Sequence, residues 1–486
     1  MLSKGGYSMK YEVVMGLEVH VEMATESKLF CSCSAKFGAD ANENVCPACA
    51  GMPGFLPVTN KKAVELGMKA GFVTNCDITR CTTFDKKNYF YPDLSTGYQI
   101  TQLNAPICRN GYVEIETPQG AKKIRIKQIH IEEDAGKLVH DGRNSLVDYN
   151  RASVPLVEIV SQPDFRSVEE VIAYLEKLRS LLVFAGVSDC KMEEGSMRAD
   201  INISVREQGS EILGTRTEMK NMNSLKAISR AIAYESERHI DALETGCEEL
   251  VQETRRWDDS KNMSFSMRNK ENATDYRYFP NPDLMPIYID DEWYNSVKAS
   301  VPEMQHEKYA RYTTELALSE YDAKLLSGSK VLSDIFDETM KHCDKARAKD
   351  AAVWLTVELM NLVNNDSKSL DECKLNSEKL AKLIGLVDSK VVNRNTAKEI
   401  FGEIYRNDVD PEKYVEEHGL AMVSDDSGIR RIIVELIGEN QKSVDEYKNG
   451  NKKVIGFFVG KVMKEMKGKA DPQAINSILT EELDKQ

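Results

Sequence analysis

The sequence predicts an α+β protein with a β-rich N-terminal domain, an all-α linker domain and a small helical tail domain. Two observations predict this order. From Tyr11 to about Asp290, short runs of alternating apolar and polar residues are separated by turns such as residues 109–112, which is the pattern of half-buried strands. After about Glu292, Lys, Glu, Ala and Leu dominate and prolines are scarce, which favours helices.

The domain boundaries follow from breaks in these patterns. A chain of 486 residues fits about three domains of roughly 150 residues each. A proline-rich stretch at residues 278–286 ends the β-rich part, and residues 406–411 interrupt the helical part. We therefore predict domains at residues 1–292, 293–408 and 409–486.

Two helices are predicted within the β-rich domain. Ser167 and Glu170 form a capping box in front of apolar residues at helical spacing from Val171 to Leu182. A second helix is predicted over residues 224–243, because a Thr-Gly-Cys stop at residues 245–247 follows it.

The composition excludes some classes of protein. A hydrophobic content of 41% fits a globular protein, and no apolar run approaches the ~18 residues of a membrane helix. Because the N-terminus lacks the apolar segment of a secretory signal, we expect a cytoplasmic protein whose 11 cysteines are reduced unless they bind metal. The net charge of −14 argues against indiscriminate nucleic-acid binding, although a local basic surface can still hold a nucleic acid.

Four segments carry acidic residues that suggest a metal site: residues 16–20, 130–137, 197–203 and 216–221. Three of them alternate like strands, so their polar residues share a face. Residues two apart on a strand, such as Glu18 and His20, are about 6.6 Å apart and can reach one ion. Carboxylates with one histidine suit Mg²⁺ or Mn²⁺ better than zinc. The alternative is a sheet with an acidic solvent face; four such segments together favour the metal site.

Four cysteines have the spacing of a structural zinc site. Cys31 and Cys33 are followed, after twelve residues, by Cys46 and Cys49, a paired pattern that closes a tetrahedral four-sulfur site. Such a site leaves no open coordination position, so this zinc is predicted to be structural. The alternative is four unrelated reduced thiols. The other seven cysteines show no ligand spacing.

The tail contains a basic segment. Residues 442–469 hold eight lysines and three acidic residues in an otherwise acidic chain. A charge run is commonly a solvated surface. Against this acidic background we favour a contact with RNA phosphates, made by Lys452, Lys453, Lys461, Lys464 and Lys467.

Several catalytic motifs are missing from the sequence. It contains no phosphate-binding P-loop, no dinucleotide-binding fingerprint and no nucleophile elbow. No glycine- and serine-rich stretch resembles an amidase nucleophile. If a nucleotide binds, metal carboxylates and nearby cationic side chains must therefore hold it.

Multi-residue motifs point to one family. The chain resembles the B subunits of bacterial aspartyl/glutamyl-tRNA amidotransferases from about Lys10 to its C-terminus. The motifs that carry the resemblance are residues 16–22 (GLEVHVE), 87–93 (KNYFYPD), 97–102 (GYQITQ), 131–137 (IEEDAGK), 189–196 (DCKMEEGS), 252–256 (QETRR) and 275–280 (DYRYFP).

The resemblance implies a cradle-like catalytic domain and a reaction in two steps. In this family, the protein transfers the γ-phosphoryl group of ATP to the side-chain carboxylate of Glu or Asp esterified to tRNA(Gln) or tRNA(Asn). Ammonia, released from glutamine by the amidase (glutaminase) subunit, then displaces phosphate. A third, small subunit completes the heterotrimer. The resemblance leaves open whether Glu-tRNA, Asp-tRNA or both are substrates.

The resemblance also implies roles for individual residues. The divalent-ion site and catalytic set match Glu18, His20, Glu132, Glu133, Asp200 and Glu218, and the choice between Glu132 and Glu133 as the ligand stays open. Candidates for the ATP phosphates, by nearness to these motifs, are Lys86, Lys87, Lys137 and Lys220. Residues that stack on an adenine, or alternatively belong to the sheet core, are Tyr89, Tyr91, Tyr98 and Tyr278. The cysteines match a zinc knuckle that only some family members keep, so it is not essential to the chemistry.

Two alternatives remain from the sequence. The chain could be a non-catalytic RNA-binding scaffold with a structural zinc, but such a scaffold needs no clustered carboxylates. Translation could begin at Met9 rather than Met1, because Lys4, Gly5 and Gly6 can be encoded by a ribosome-binding sequence.

Overall fold

The computed structural model describes residues 10–269, 276–422, 426–448, 451–466 and 472–485. It divides into two compact units, Met1–Met304 and Gln305–Gln486. The first contains the β-sheets and the second is helical, which confirms the predicted α+β class. The alternative starts at Met1 and Met9 lie outside the described residues.

The first unit is built on a nine-stranded sheet with the order β14-β13-β12-β11-β1-β10-β7-β6-β2. Its strand pairs are antiparallel except for β12 with β13. The strands of the unit are β1 (Tyr11–Glu22), β2 (Asp77–Ile78), β3 (Cys81–Thr82), β4 (Asp85–Asn88), β5 (Tyr98–Thr101), β6 (Cys108–Thr117), β7 (Gly120–Glu133), β8 (Lys137–Asp141), β9 (Asn144–Asp148), β10 (Pro155–Ser161), β11 (Met197–Glu207), β12 (Thr217–Lys220), β13 (Glu253–Asp258), β14 (Met263–Asn269), β15 (Phe279–Pro280) and β16 (Ile287–Tyr288).

Helices cover one face of this sheet. They are α1 (Lys61–Val73), α2 (Val168–Phe184) and α3 (Leu225–Thr245), and α4 (Asp291–Ala299) packs beside α1. The apolar residues of β1 and β11, such as Leu17, Val19 and Ile201, are buried in one core with the apolar faces of these helices. Because successive strand residues point to opposite sides, the polar residues between them face away from the helices.

Two of these helices match the sequence prediction, and one was missed. Ser167 caps α2 by accepting a hydrogen bond from the backbone N–H of Glu170 at 3.3 Å, and Ser224 caps α3. Helix α1 was not predicted. It contains Gly67 and Gly71, which lower helix propensity, but a Cβ there would collide with side chains of β2, β6 and β7. The glycines therefore allow close packing of α1 on the sheet.

The second unit consists of helices. They are α5 (Gln305–Thr314), α6 (Glu320–Ser327), α7 (Lys330–Met340), α8 (Ala348–Val353), α9 (Met360–Asn365), α10 (Ser377–Asp388), α11 (Arg394–Asn407), α12 (Pro411–Glu417), α13 (Asp426–Glu439), α14 (Gln441–Lys448), α15 (Val454–Glu465) and α16 (Pro472–Asp484). A π-helical turn, Trp354–Leu359, joins α8 to α9. Their buried apolar residues form two clusters, one over residues 312–415 and one over residues 429–483. In the described part of the chain, every helix is too short or too polar to cross a membrane.

Candidate active site

The face of the nine-stranded sheet that is turned away from the helices carries a row of ionisable side chains. Strand pairing places Glu18 opposite Asp200 on β11 and His20 opposite Glu158 on β10. Glu158 is in turn opposite His130 on β7. Directly paired residues of antiparallel strands point to the same side, so pairing alone brings these side chains together from segments far apart in the sequence.

Glu18, His20, His130 and Glu158 line a cavity of about 510 Å³. Its wall is mixed: glutamates and histidines come from the sheet, Lys87 comes from β4, Arg216 and Lys220 come from β12 and the residue before it, and tyrosines complete the wall. Its lining residues include Glu18, His20, Lys87, Tyr89, His130, Glu132, Glu158, Glu218, Lys220, Thr254, Tyr276 and Tyr278.

Three residues of the cavity are close enough to bind one metal ion. The donor atoms of His20, Glu132 and Glu158 all lie within 4.8 Å of one another. The Nε2 atom of His20 is 3.6 Å from Oε1 of Glu132 and 3.6 Å from Oε2 of Glu158. Two carboxylates and one imidazole fit a hard divalent cation such as Mg²⁺ or Mn²⁺.

The charges of this group depend strongly on one another. Burial alone would lower the pKa of His20, but the carboxylates of Glu158 and Glu132 outweigh burial and raise it to about 9. Burial would also lower the pKa of His130, but the same two carboxylates outweigh it and raise this pKa to about 10. Although burial acts against it, the two imidazoles hold the pKa of Glu158 well below its usual value. The carboxylates therefore require positive charge at this point, which protonated imidazoles or a cation can supply.

His130 contacts both carboxylates of the three-residue group. Its Nε2 atom is 2.8 Å from Oε2 of Glu158 and 3.5 Å from Oε2 of Glu132. Neighbours that hydrogen-bond a carboxylate ligand fix its orientation and tune its basicity. His130 therefore orients both carboxylates of the candidate metal site.

A second acidic cluster lies beside the first. Lys220 forms an ion pair with Asp200, and its Nζ atom is 3.3 Å from Oε1 of Glu218. Glu218 also accepts a hydrogen bond from the hydroxyl of Thr254 at 2.8 Å. Glu18 accepts a hydrogen bond from the side-chain amide of Asn202 at 2.9 Å.

The predicted metal set therefore divides into two groups. His20 and Glu132 belong to the three-residue group, whereas Glu18, Asp200 and Glu218 lie around Lys220 and outside that group. In this arrangement the second cluster orients a lysine.

The structure separates Glu132 from Glu133. Glu132 faces the cavity, where Oε2 accepts from the hydroxyl of Thr101 at 3.2 Å. Glu133 is buried on the other side of β7, where it accepts hydrogen bonds from the backbone N–H of Ile100 and the hydroxyl of Ser153, both at 2.9 Å. Strand alternation continues to the end of β7, so adjacent glutamates point in opposite directions.

A second cavity, of about 580 Å³, adjoins the first. It is lined by both acidic and basic side chains, among them Asp93, Asp134, Arg151, Arg198, Asp200 and Arg256. Residues that line both cavities are His20, Lys87, Tyr89, Glu132 and Lys220. The two lysines therefore stand where the cavities meet.

Both lysines are held in the charged form. Burial acts to lower the pKa of Lys87, yet Glu132 and the neighbouring tyrosines raise it above its usual value. Burial likewise opposes the effect of Asp200 and Glu218 on Lys220, whose pKa is also raised. The wall shared by the cavities therefore carries two positively charged lysines at neutral pH.

The other predicted phosphate contacts are placed elsewhere. Lys86 pairs with Asp283 at 2.9 Å and lies over the ring of Tyr98, 4.3 Å from its centre. Lys137 is exposed on β8. Neither lysine lines one of the two cavities.

Two of the four tyrosines predicted to stack on a base line the first cavity, and two do not. Tyr89 and Tyr278 line the first cavity with Tyr276, and the ring of Tyr276 meets both edge-on, at 5.8 and 5.9 Å between centres. Tyr91 is half exposed, and neither it nor Tyr98 lines the two cavities.

Glu158 and His130 were missed in the sequence analysis as site residues. Glu158 belongs to the strand Pro155–Ser161, where it is the one charged residue among mostly apolar neighbours. A carboxylate in a mostly buried strand usually has a partner, because burying an unpaired charge is costly. That isolated charge was the available signal. His130 has the weaker signal of standing two residues before Glu132 on one strand.

The four predicted zinc ligands come together. The sulfur atoms of Cys31, Cys33, Cys46 and Cys49 all lie within 4.8 Å of one another, and those of Cys33 and Cys49 are 4.0 Å apart. Zinc–sulfur bonds of ~2.3 Å in a tetrahedron require sulfur atoms roughly 3.8 Å apart. The arrangement fits a four-cysteine zinc site.

The basic residues of the tail are at the surface or in local contacts. Lys452, Lys453 and Lys464 are exposed. Lys461 donates a hydrogen bond to Asn440 at 2.9 Å and lies over the ring of Phe457. Lys467 lies outside the described residues.

Two family models match most of this chain. The family model described as the GatB/GatE catalytic domain matches residues 13–295, and the one described as the GatB domain matches residues 334–483. The chain is 56% identical to the B subunit of the aspartyl/glutamyl-tRNA(Asn/Gln) amidotransferase of Lachnoclostridium phytofermentans, over 98% of this chain and 99% of that protein.

Proteins of the same name from other organisms are nearly as similar. The one from Agathobacter rectalis is 54% identical over 97% of this chain and 99% of its own length. The one from Thermoanaerobacter pseudethanolicus is 52% identical over 98% of this chain and 100% of its own length. This chain therefore belongs to the family of aspartyl/glutamyl-tRNA amidotransferase B subunits.

Proposed function

We propose that this chain phosphorylates the side-chain carboxylate of Glu on tRNA(Gln), Asp on tRNA(Asn) or both, and then converts it to the amide. The relatives are named as amidotransferases of aspartyl- and glutamyl-tRNA. The observation that carries the proposal is the shared wall of the two cavities, where Lys87 and Lys220 stand next to a group of carboxylates suited to a divalent cation.

The chemistry explains why ATP is needed. A carboxylate is a poor acyl donor because its oxygen is a poor leaving group. In the first step a carboxylate oxygen forms a bond to the γ-phosphorus of ATP, and ADP leaves. In the second step ammonia attacks the carbonyl carbon of the acyl phosphate, and inorganic phosphate leaves with the bonding electron pair. The amide remains on the tRNA after a proton is lost to solvent.

Phosphoryl transfer depends mainly on positioning and on neutralising negative charge. Lys87 and Lys220 are placed to neutralise phosphate oxygens that reach across the shared wall. Asp200 and Glu218 hold the ammonium of Lys220 in place. A divalent cation held by His20, Glu132 and Glu158 would add charge neutralisation when bound.

The edge of the first cavity is suited to a nucleotide base. Tyr89, Tyr276 and Tyr278 form a chain of aromatic contacts beside Lys87. A base can stack on such rings without a sequence-specific contact. We therefore assign this edge to the adenine of ATP or to the terminal adenosine of the tRNA.

The remaining parts of the proposal concern partners and location. We propose that the chain works in the cytoplasm with two partners, the amidase (glutaminase) subunit that supplies ammonia and the small third subunit of the heterotrimer. The exposed lysines of the tail would hold tRNA phosphates.

The four-cysteine site would hold zinc in a structural role, since all four ligands come from the protein.

The test is ADP formation by the chain assembled with its partner subunits. Misacylated tRNA and Mg²⁺ should both be required, and ammonia should replace glutamine as the nitrogen donor. The matched control is correctly charged Gln-tRNA, which has no free side-chain carboxylate and should give no stimulation. Binding of misacylated tRNA without ADP formation would instead favour an RNA-binding scaffold.

A further inference from the structure

A buried lysine lies next to the four-cysteine cluster. Lys28 has no exposed surface. Its Nζ atom is 3.6 Å from the sulfur of Cys49 and 3.0 Å from the carbonyl oxygen of Tyr149. Within the described ranges of the chain, Lys28 forms no ion pair with a carboxylate. The neighbouring sulfur atoms are therefore the available source of negative charge.

Burying an ammonium group without a counter-charge is costly. A backbone carbonyl offers a partial charge, but it does not neutralise a full positive charge. Apolar residues of similar volume would fill the same space without this cost. The presence of a lysine at this buried position therefore indicates that the cluster beside it carries negative charge.

A four-cysteine zinc site carries such a charge. Four thiolates and one Zn²⁺ leave a net charge of about −2 on the site. In a partly buried site this surplus is poorly solvated. One adjacent ammonium would reduce it to about −1 and would donate an N–H···S hydrogen bond to a ligand.

We propose that Lys28 is the charge-compensating residue of the zinc site and acts on the metal through the sulfur of Cys49. This rests on the zinc assigned under the proposed function. Lys28 is a positioning residue, since it touches a ligand and not the metal. Its second contact, to the carbonyl of Tyr149, ties the zinc loop to the segment that carries Arg151, a residue of the second cavity.

The competing explanation is that Lys28 only links two segments by its hydrogen bond to Tyr149. The two explanations differ in how they depend on zinc. A link would stabilise the zinc-loaded and zinc-free protein equally. Charge compensation would favour the loaded form, and removing the charge would relieve a burial cost in the zinc-free form.

The test replaces Lys28 with methionine, which has a similar length and no charge. The control is Lys36→Met, because Lys36 is exposed on the loop between the cysteine pairs and its loss removes the same charge. Zinc affinity is measured on the full-length chain by competition with a chromophoric chelator. Thermal unfolding is measured with and without bound zinc.

We expect Lys28→Met to lower zinc affinity by about 10–100-fold, the usual effect of losing a neighbour that supports a metal ligand. The zinc-free form should be as stable as wild type or more stable. The control should change zinc affinity by less than about 3-fold, as expected for an exposed charge. Lys28→Gln keeps a donor for the carbonyl of Tyr149 and should behave like Lys28→Met. It replaces Lys28→Met in the test if the methionine variant does not fold.

Either of two results with the Lys28 variants would overturn the proposal, and so would one result with the wild-type chain. One is unchanged zinc affinity in both Lys28 variants. The other is an equal loss of stability with and without zinc, which would identify a simple link. A wild-type chain that binds no stoichiometric zinc also refutes it. ADP formation is measured separately, so a failure here leaves the proposed phosphoryl transfer standing.

Discussion

The Nε2 atom of His20 lies 3.6 Å from Oε2 of Glu158, and the two residues are paired directly across β1 and β10. This pair joins the most recognisable motif of the sequence to a glutamate that no motif marks. Strand pairing holds the pair in place, because both residues lie in the middle of the nine-stranded sheet.

The pair gives the first prediction. Glu158→Gln should lower ADP formation by orders of magnitude, as His20→Ala should, because each removes one proposed ligand of a cation that neutralises transferring phosphoryl charge. The assembled complex should still hydrolyse glutamine, since the amidase nucleophile belongs to another subunit. Glu114→Gln, an exposed carboxylate on β6, is the control and should retain activity. Near-normal ADP formation by Glu158→Gln would contradict the proposed metal group.

The second prediction separates the two adjacent glutamates of β7. Glu132→Gln should raise the Mg²⁺ concentration needed for half-maximal ADP formation strongly, because its carboxylate faces His20. Glu133→Gln should leave this concentration nearly unchanged, because its carboxyl group is buried on the opposite side against Ser153. A Mg²⁺ titration of both variants at saturating ATP checks this. An equal increase in this Mg²⁺ concentration in the two variants would contradict the placement of Glu132 and Glu133 on opposite faces of β7.

Part of this site could be predicted from the sequence. Alternation along a strand is local, so Glu18 and His20 could be assigned to one face from β1 alone. The order of the strands is not local: β1 lies between β10 and β11, which follow it by more than a hundred residues. For that reason the division of the acidic residues between Lys220 and the His20 group could not be predicted.

The cysteine cluster shows the opposite case. Its ligands are close in sequence, so spacing alone predicted that the four sulfur atoms meet. The contact of Lys28 with Tyr149 could not be predicted, because it joins residues 121 positions apart. Local patterns therefore predicted strands and ligand pairs, and long-range packing determined their neighbours.

The third prediction concerns the zinc site. Cys46→Ser should reduce bound zinc and increase proteolysis within residues 31–49, because the polar loop between the cysteine pairs has few apolar contacts of its own. Phosphoryl transfer should persist in part, since the cysteines line neither of the two cavities of the candidate active site. Metal analysis and limited proteolysis check this. Full zinc retention by the Cys46→Ser/Cys49→Ser double variant would contradict the assignment.

The fourth prediction is a pH dependence of stability. Burial, helped by the positive charge of Arg238, lowers the pKa of His239 from its ordinary 6.5 to about 4. Between pH 4 and pH 6.5, His239 therefore binds a proton in the unfolded chain but not in the folded chain. The free energy of unfolding that His239 contributes falls as the pH falls from 6.5 towards 4. The buried Nε2 atom faces the hydroxyl of Thr217 at 2.9 Å.

The test compares wild type with His239→Gln, which does not titrate. The difference in unfolding midpoint between the two proteins should shrink as the pH is lowered from 7 to about 4.5, because wild type alone loses this contribution. A difference that stays constant over this range would show that His239 titrates normally in the folded protein.

The last prediction concerns the basic tail. Lys452 and Lys453 are exposed, so their charges are available to tRNA phosphates. Their replacement by alanine should raise the KM for misacylated tRNA and leave kcat at saturating tRNA nearly unchanged, because binding rather than the chemical step is affected. Each lost phosphate contact should flatten the log–log salt dependence of binding by about 0.7–0.9.

Lys461 should contribute less than this pair, because its ammonium already contacts Asn440 and the ring of Phe457. The control is the Lys349→Ala/Lys374→Ala variant, which removes two exposed charges outside the basic tail, one on α8 and one in the segment between α9 and α10. Binding is measured over a range of salt concentrations, and ammonia replaces glutamine in the activity assay to exclude effects on the amidase partner. If the Lys452/Lys453 variant binds tRNA with the affinity and salt slope of the control, these lysines form only a solvated surface.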